Sequence, residues 1–336
     1  MNEERPFAWQ PGTATGIGSM PGDRPLETAR TVAGTLPEFP YLPELPGRGP
    51  GADMIGRTAA LLVEIPAEVT PRGWRIAERP GRDARRARSH LSVDLDVIEE
   101  VLDGYEGPLK LQAAGPWTLA ATLEQPHSMN PALADPGLVA DLAASLAEGL
   151  AAHAAEVAKR LPGATLAVQI DEPALTAVAD GAIPTASGYG RLRAPDEEFL
   201  RARLGQVVKA VSRWYPIVHC CSNDYPFGII RGLGVRALSL DMSKLRTQDF
   251  DELAAEAEAG LGLLLGYPER AGSTPKQAAD SVAEVWRRMS QPRARCAEQV
   301  VITPACGLAG STPAQARDTL KFVREAARIL PEVMGD

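Results

Sequence analysis

Eight short apolar runs, each closing on a small, polar or turn residue, constrain the fold of this chain more than any other feature. They cover residues 15–19, 39–44, 109–115, 166–171, 216–221, 237–241, 262–266 and 300–306. Each has the length of a strand. None shows clean in–out alternation, which is how strands covered on both faces read. The second run is interrupted by Pro40 and Pro43, which remove ladder donors. Between the runs lie Ala/Leu/Glu/Arg-rich stretches with helical spacing, at 138–160, 196–214, 250–259, 276–289 and 314–329. Two of these open alike, with Thr274, Pro275 and Gln277 and again with Thr312, Pro313 and Gln315. Thr at the N-cap, Pro in the first turn and Gln two residues later spell a capping box. Buried strands alternating with helices predict an α/β protein, a single-domain (β/α)8 TIM barrel over 1–336, with a doubly wound sheet as the alternative.

Two segments exceed a minimal barrel. Residues 40–52 are rich in Pro and Gly and predict a long loop. Residues 58–90 predict an inserted strand, a turn at Pro71, Arg72 and Gly73, and then a run holding Arg75, Arg79, Arg82, Arg85, Arg86 and Arg88. That run fits a solvated helix face; the competing reading is a cationic rim for an anionic ligand.

A formal net charge of −8 over 336 residues disfavours a nucleic-acid binder, which needs a basic face. The first six residues carry charges and no apolar core of a signal peptide, and no apolar run reaches the length of a membrane span. Four cysteines are too few for a disulfide framework, and they suit a cytoplasmic protein in which grouped Cys and His serve metal binding or catalysis.

In such barrels chemistry sits at the carboxyl ends of the strands. The run ends offer Ser19, Glu44, Trp117, Asp171, His219, Cys221, Asp241, Tyr267 and Cys306. His219 and Cys221 are two apart on a strand and share a face, while Cys220 points away. A second Cys at another strand end and an acid between them make a donor set suited to zinc, since soft thiolates disfavour magnesium or calcium. Asp171 follows Gln169 on one strand face and can bind an ammonium group or act as a base; Glu172 falls on the opposite face or in the loop. Gly16, Ile17, Gly18 and Ser19 supply backbone N–H groups and a hydroxyl suited to a carboxylate. Trp117 is a candidate aromatic wall or a packing residue.

At these positions the sequence resembles the C-terminal catalytic barrel of the cobalamin-independent methionine synthase family. The resemblance rests on residues 13–21, 169–175, 218–222 and 304–308 and runs in order along nearly the whole chain. It implies Zn2+ held by His219, Cys221, Asp241 and Cys306, and homocysteine held by Ile17, Gly18, Ser19, Glu44 and Asp171. It implies a methyltransferase that makes methionine, with Asp171 and Glu44 as the acids of the site. There are departures. The family's zinc carboxylate is usually Glu, whereas position 241 is Asp. The long members carry an additional N-terminal barrel and a His in the loop after the seventh strand. Here the four histidines are His90, His127, His153 and His219. Ala177 stands near the place of a folate-contacting Glu.

The thiol side therefore resembles the family more than the methyl-donor side does. Displacing a methyl group from N5 of methyl-tetrahydrofolate requires a proton at that nitrogen. Only Tyr267 or Glu269 could stand in for the missing His. A methyl-corrinoid, free or on a carrier protein, has a leaving group that needs none, so it is the expected donor. The alternatives are a related zinc barrel acting on another thiol, or a metal- or thiol-binding barrel without turnover.

Overall fold

An antiparallel hairpin, β1 (Ala67–Thr70) and β2 (Gly73–Ile76), precedes six strands that run parallel in sequence order. These are β3 (Gly107–Ala114), β4 (Ala164–Asp171), β5 (Tyr215–Cys220), β6 (Ala237–Asp241), β7 (Gly262–Tyr267) and β8 (Val300–Pro304). The computed structural model describes residues 6–268 and 271–335. Each crossover carries helix, which lets neighbouring strands run parallel and covers the outer face.

The expected eight strands are thus six regular ones, and the first two apolar runs are not strands. Each pairs with the sheet only through isolated bridges, Ala14 with Ile302 on β8 and Tyr41 with Lys110 on β3. Ser19 bridges to Glu44, tying the two segments together. Proline explains the second segment, since Pro40 and Pro43 have no N–H to give. Gly16 and Gly18 explain the first, because they let it press against the side chains of Tyr41 and Gln112. A Cβ at Gly16 would sit 2.3 Å from the Tyr41 ring.

The strands sort their residues by parity. Leu166, Val168, Ile170, Val218, Cys220, Leu238 and Leu240 join the outer core under the helices. Ala167, Tyr215, Ile217, Ala237, Leu264 and Val301 form a second, inner cluster with Trp9 and Phe39. The Trp9 ring stacks on Phe39 and meets Tyr215 edge-on, filling the amino-terminal end of the sheet's interior. The register then sets Ala114, Asp171, His219 and Ser239 at one level on consecutive strands. Each fully buried large apolar side chain in these clusters stabilises the fold by about 1.5–3 kcal/mol.

Helices fall close to where the spacing puts them. Pro136–Arg160 is long and apolar enough to cross a membrane by length and composition, yet Leu142, Leu146, Leu150 and Val157 are buried in the core. Both capping boxes form: Thr274 and Gln277 exchange side-chain and backbone hydrogen bonds, as do Thr312 and Gln315. Residues 58–90 hold the expected turn, but helix Met54–Leu61 precedes the hairpin and helix Arg82–Val101 follows it. Arg82, Arg85, Arg86 and Arg88 lie exposed, while Ala84, Ala87 and Leu91 face the core. Arg72 pairs with Glu124 and Arg75 with Glu68. This is the solvated-face reading.

Candidate active site

The inward parity of β4, β5 and β6 carries Gln169, Asp171, His219, Ser239 and Asp241 toward one end of the sheet. Cys221 follows β5 by one residue and shares the face of His219. It meets Cys306, just beyond β8, and the two thiols interact. That contact, with the Gly307 N–H, draws Cys306 down to about 6, while the same contact and burial push Cys221 up. Cys306 is exposed and Cys221 half-buried, whereas Cys220 is buried with its Sγ 3.0 Å from Ser222 Oγ.

His219 is buried, and its Nδ1 lies 2.9 Å from Ser239 Oγ. Burial holds it down at about 3, reinforced by the charge of Lys110, so the ring is neutral at pH 7. Asp241 Oδ1 accepts from Ser243 N–H at 2.8 Å and Ser243 Oγ at 2.7 Å, capping the short turn Met242–Lys244. Among the described residues no three His, Cys, Asp or Glu side chains converge as a preformed metal cluster. The donor chemistry nevertheless fits zinc. Serine partners occupy one nitrogen of His219 and one oxygen of Asp241, leaving Nε2 and Oδ2 without a protein hydrogen bond among the described residues, and the two thiols sit side by side.

The Ile17–Ser19 turn borders this group. Ser19 O accepts from Leu308 N–H at 2.8 Å, and a Cβ on Gly307 would lie 2.1 Å from Ser19 Oγ. The Ile17–Ser19 segment thus packs on the residue after Cys306. Glu44 N–H donates to Gly18 O at 3.1 Å and Met20 N–H to Glu44 O at 2.8 Å, which brings Glu44 to the same turn. Glu44 and Asp171 are both buried. Desolvation raises both carboxyls, and the charge of Glu44 adds to the burden on Asp171 and on Tyr41; Arg57, with Nε 4.0 Å from Glu44 Oε1, pulls Glu44 back.

Trp117 is not a wall of the site. It is fully buried, donates from Nε1 to Leu200 O at 3.1 Å and packs edge-on against Phe199. Glu172 also leaves the site. Its carboxylate accepts Trp117 N–H, Thr118 N–H and Thr118 Oγ, capping helix Pro116–Thr122 from the neighbouring strand. Tyr267 Oη donates to Ser273 Oγ at 3.4 Å, while Glu269 lies outside the described residues.

Three site residues went unread in the sequence. Lys110, Gln112 and Gln169 are buried in the interior between the turn and the acids. Lys110 Nζ donates to Ile17 O at 2.6 Å and lies 5.3 Å from the Tyr41 ring centre. Gln112 Nε2 reaches Leu42 O at 2.6 Å and Glu44 Oε1 at 3.4 Å. Gln169 Nε2 bridges Ile17 O at 3.0 Å and Asp171 Oδ1 at 2.6 Å. The signal was parity: polar residues at 110, 112, 169 and 171 alternate inside otherwise apolar runs.

The family described as the catalytic domain of cobalamin-independent synthase matches residues 131–329. The chain belongs to that family. A B12-independent methionine synthase from Shewanella sp. W3-18-1, solved with selenomethionine, shares its fold with a TM-score of 0.65 at 13% identity, covering 96% of this chain and 98% of that one. A 2,3-dimethylmalate lyase covers 93% of this chain and 81% of its own at 14% identity, with a TM-score of 0.37 too low to carry an argument. No curated protein matches the chain.

Proposed function

We propose that this synthase-family chain is a zinc-dependent thiol methyltransferase that converts homocysteine to methionine. The observation that carries this reading is the Ser19 O···H–N Leu308 bond, which sets the Ile17–Ser19 turn beside Cys306. An amino-acid clamp and a thiol-binding pair are then adjacent, as a substrate bearing both groups requires. His219, Cys221, Cys306 and Asp241 are the residues to hold zinc. Bound there, zinc supplies a Lewis acid that keeps a thiol deprotonated at neutral pH.

The chain's own groups orient the substrate. Asp171 and Glu44 receive its ammonium. The Gly18 and Ser19 N–H groups, which donate to no protein atom among the described residues, receive its carboxylate. Methyl transfer to sulfur is a displacement that depends on this orientation rather than on acid–base chemistry at sulfur.

For the donor we propose a methyl-corrinoid, free or on a carrier protein, over methyl-tetrahydrofolate. The support is chemical: the loop after β7 offers no His to protonate a departing N5. The test is methyl transfer to homocysteine from methylcobalamin and from methyl-tetrahydrofolate, with and without zinc. Zinc-dependent methionine from methylcobalamin is expected. Faster turnover on the folate donor would overturn the donor assignment, and no methionine from either would overturn the function.

A further inference from the structure

Lys110 is fully buried on β3, and no carboxylate lies within ion-pair distance of it among the described residues. A buried ammonium without a direct partner is costly, so the contacts it does make carry information. Its short bond goes to Ile17 O, and it also reaches Gln112 Oε1 at 3.5 Å and the Tyr41 ring. Gln169 Nε2 donates to the same Ile17 O. Two donors on one carbonyl oxygen fix the plane of the peptide that joins Ile17 to Gly18.

In a trans peptide the N–H points opposite to the C=O. Holding Ile17 O therefore directs Gly18 N–H to the other side. That N–H and the N–H of Ser19 have no protein acceptor among the described residues. A charged donor on the carbonyl also polarises the amide and strengthens its N–H as a donor. Only glycine fits at 18, since a Cβ would lie 2.9 Å from Gln112 Cγ. Burial pushes the Lys110 ammonium down to about 8, and against that the fields of Asp171 and Glu44 each favour its charged form.

We propose that Lys110 is a positioning residue of the substrate pocket with two effects. It presents the Gly18 N–H to a carboxylate, and its charge offsets the mutual repulsion of Glu44 and Asp171 so that both serve an ammonium. The pocket is thereby set for a zwitterion, an α-amino acid bearing a thiol, in preference to a thiol acid lacking the amine. This rests on the amino-acid reading above.

The experiment is calorimetric titration of the zinc-loaded protein with homocysteine and with methionine, beside steady-state kinetics. Lys110→Gln keeps a donor for Ile17 O and loses the charge; Lys110→Met loses both. The expected result is a dissociation constant raised about tenfold or more in Lys110→Met and by a smaller factor in Lys110→Gln. KM for homocysteine should rise in step while kcat and zinc content hold, a split that general destabilisation would not give. Wild-type affinity in both variants overturns the proposal. A measurement on the unaltered protein stands independently of how the variants fold. There 4-mercaptobutyrate, which is homocysteine without its amine, should bind about tenfold more weakly than homocysteine; equal binding overturns the counter-charge role. Failure of the unaltered protein to bind either amino acid would instead overturn the amino-acid reading and this proposal with it.

Discussion

Glu172 Oε1 accepts the backbone N–H of Trp117 at 2.9 Å, and Glu172 Oε2 accepts that of Thr118 at 2.8 Å. One carboxylate at the end of β4 thus satisfies the orphan donors of a helix that follows β3, where Gly115 at the N-cap has no side chain to do so. A Cβ at Gly115 would fall 2.3 Å from Glu172 Oε1, so the carboxylate and the glycine require each other. Asp171, one residue earlier, faces the site. Adjacent acids on opposite faces of one strand do unrelated work.

Glu172→Gln should therefore destabilise the fold. Each oxygen accepts a backbone N–H, and an amide group turns a donor toward one of them. Leaving a buried donor unpaired costs about 1–3 kcal/mol. The check is chemical denaturation; a midpoint equal to that of the unaltered protein would show that the cap carries no weight. Gly115→Ala should destabilise in the same direction.

Asp171→Asn should behave oppositely. Zinc content should hold while homocysteine binding weakens by about 1.5–3 kcal/mol, roughly 10- to 150-fold, the worth of a charge-assisted hydrogen bond. Titration calorimetry decides it. Unchanged affinity would remove Asp171 from the substrate pocket.

Cys306→Ser should lose most of the zinc, and Cys220→Ser should keep it. Cys306 pairs with Cys221, whereas the Cys220 thiol lies in the outer core against Ser222. Metal analysis of protein purified without chelator reads this directly, and full occupancy in Cys306→Ser would exclude it as a ligand.

Stability should fall with acid through His153. Burial in helix Pro136–Arg160, with the Arg57 charge nearby, holds this ring down at about 4 against an ordinary value of 6.5. Between those values the unfolded chain binds a proton that the folded chain refuses. The contribution is present in full above the unfolded pKa and is lost as pH falls toward about 4, amounting to about 3 kcal/mol. His219, also held down by burial, adds a component of the same sign. His153→Gln should flatten the decline in unfolding free energy from pH 7 to pH 4.5; an unchanged slope would mean that this ring is free to protonate in the fold.

The sequence by itself determined the six regular strands, five of the helices, both capping boxes and the shared face of His219 and Cys221; helix Arg82–Val101 it showed only in part, as an Arg-rich solvated face. Those are local matters: strand parity, helical spacing and cap chemistry act within a few residues. It also determined which residue types stand at the strand ends, and so the donor set. Tertiary structure decided what nonlocal contact alone can decide. The runs at 15–19 and 39–44 have strand composition but pair only through bridges, because their prolines and close-packed glycines limit the ladder. Trp117 and Glu172 read as site residues or as neutral, and a contact 55 residues apart makes them a packing residue and a cap. By sequence Lys110 is one polar residue in an apolar strand. Its role exists only because Ile17, 93 residues away, brings its carbonyl to the lysine ammonium inside the sheet.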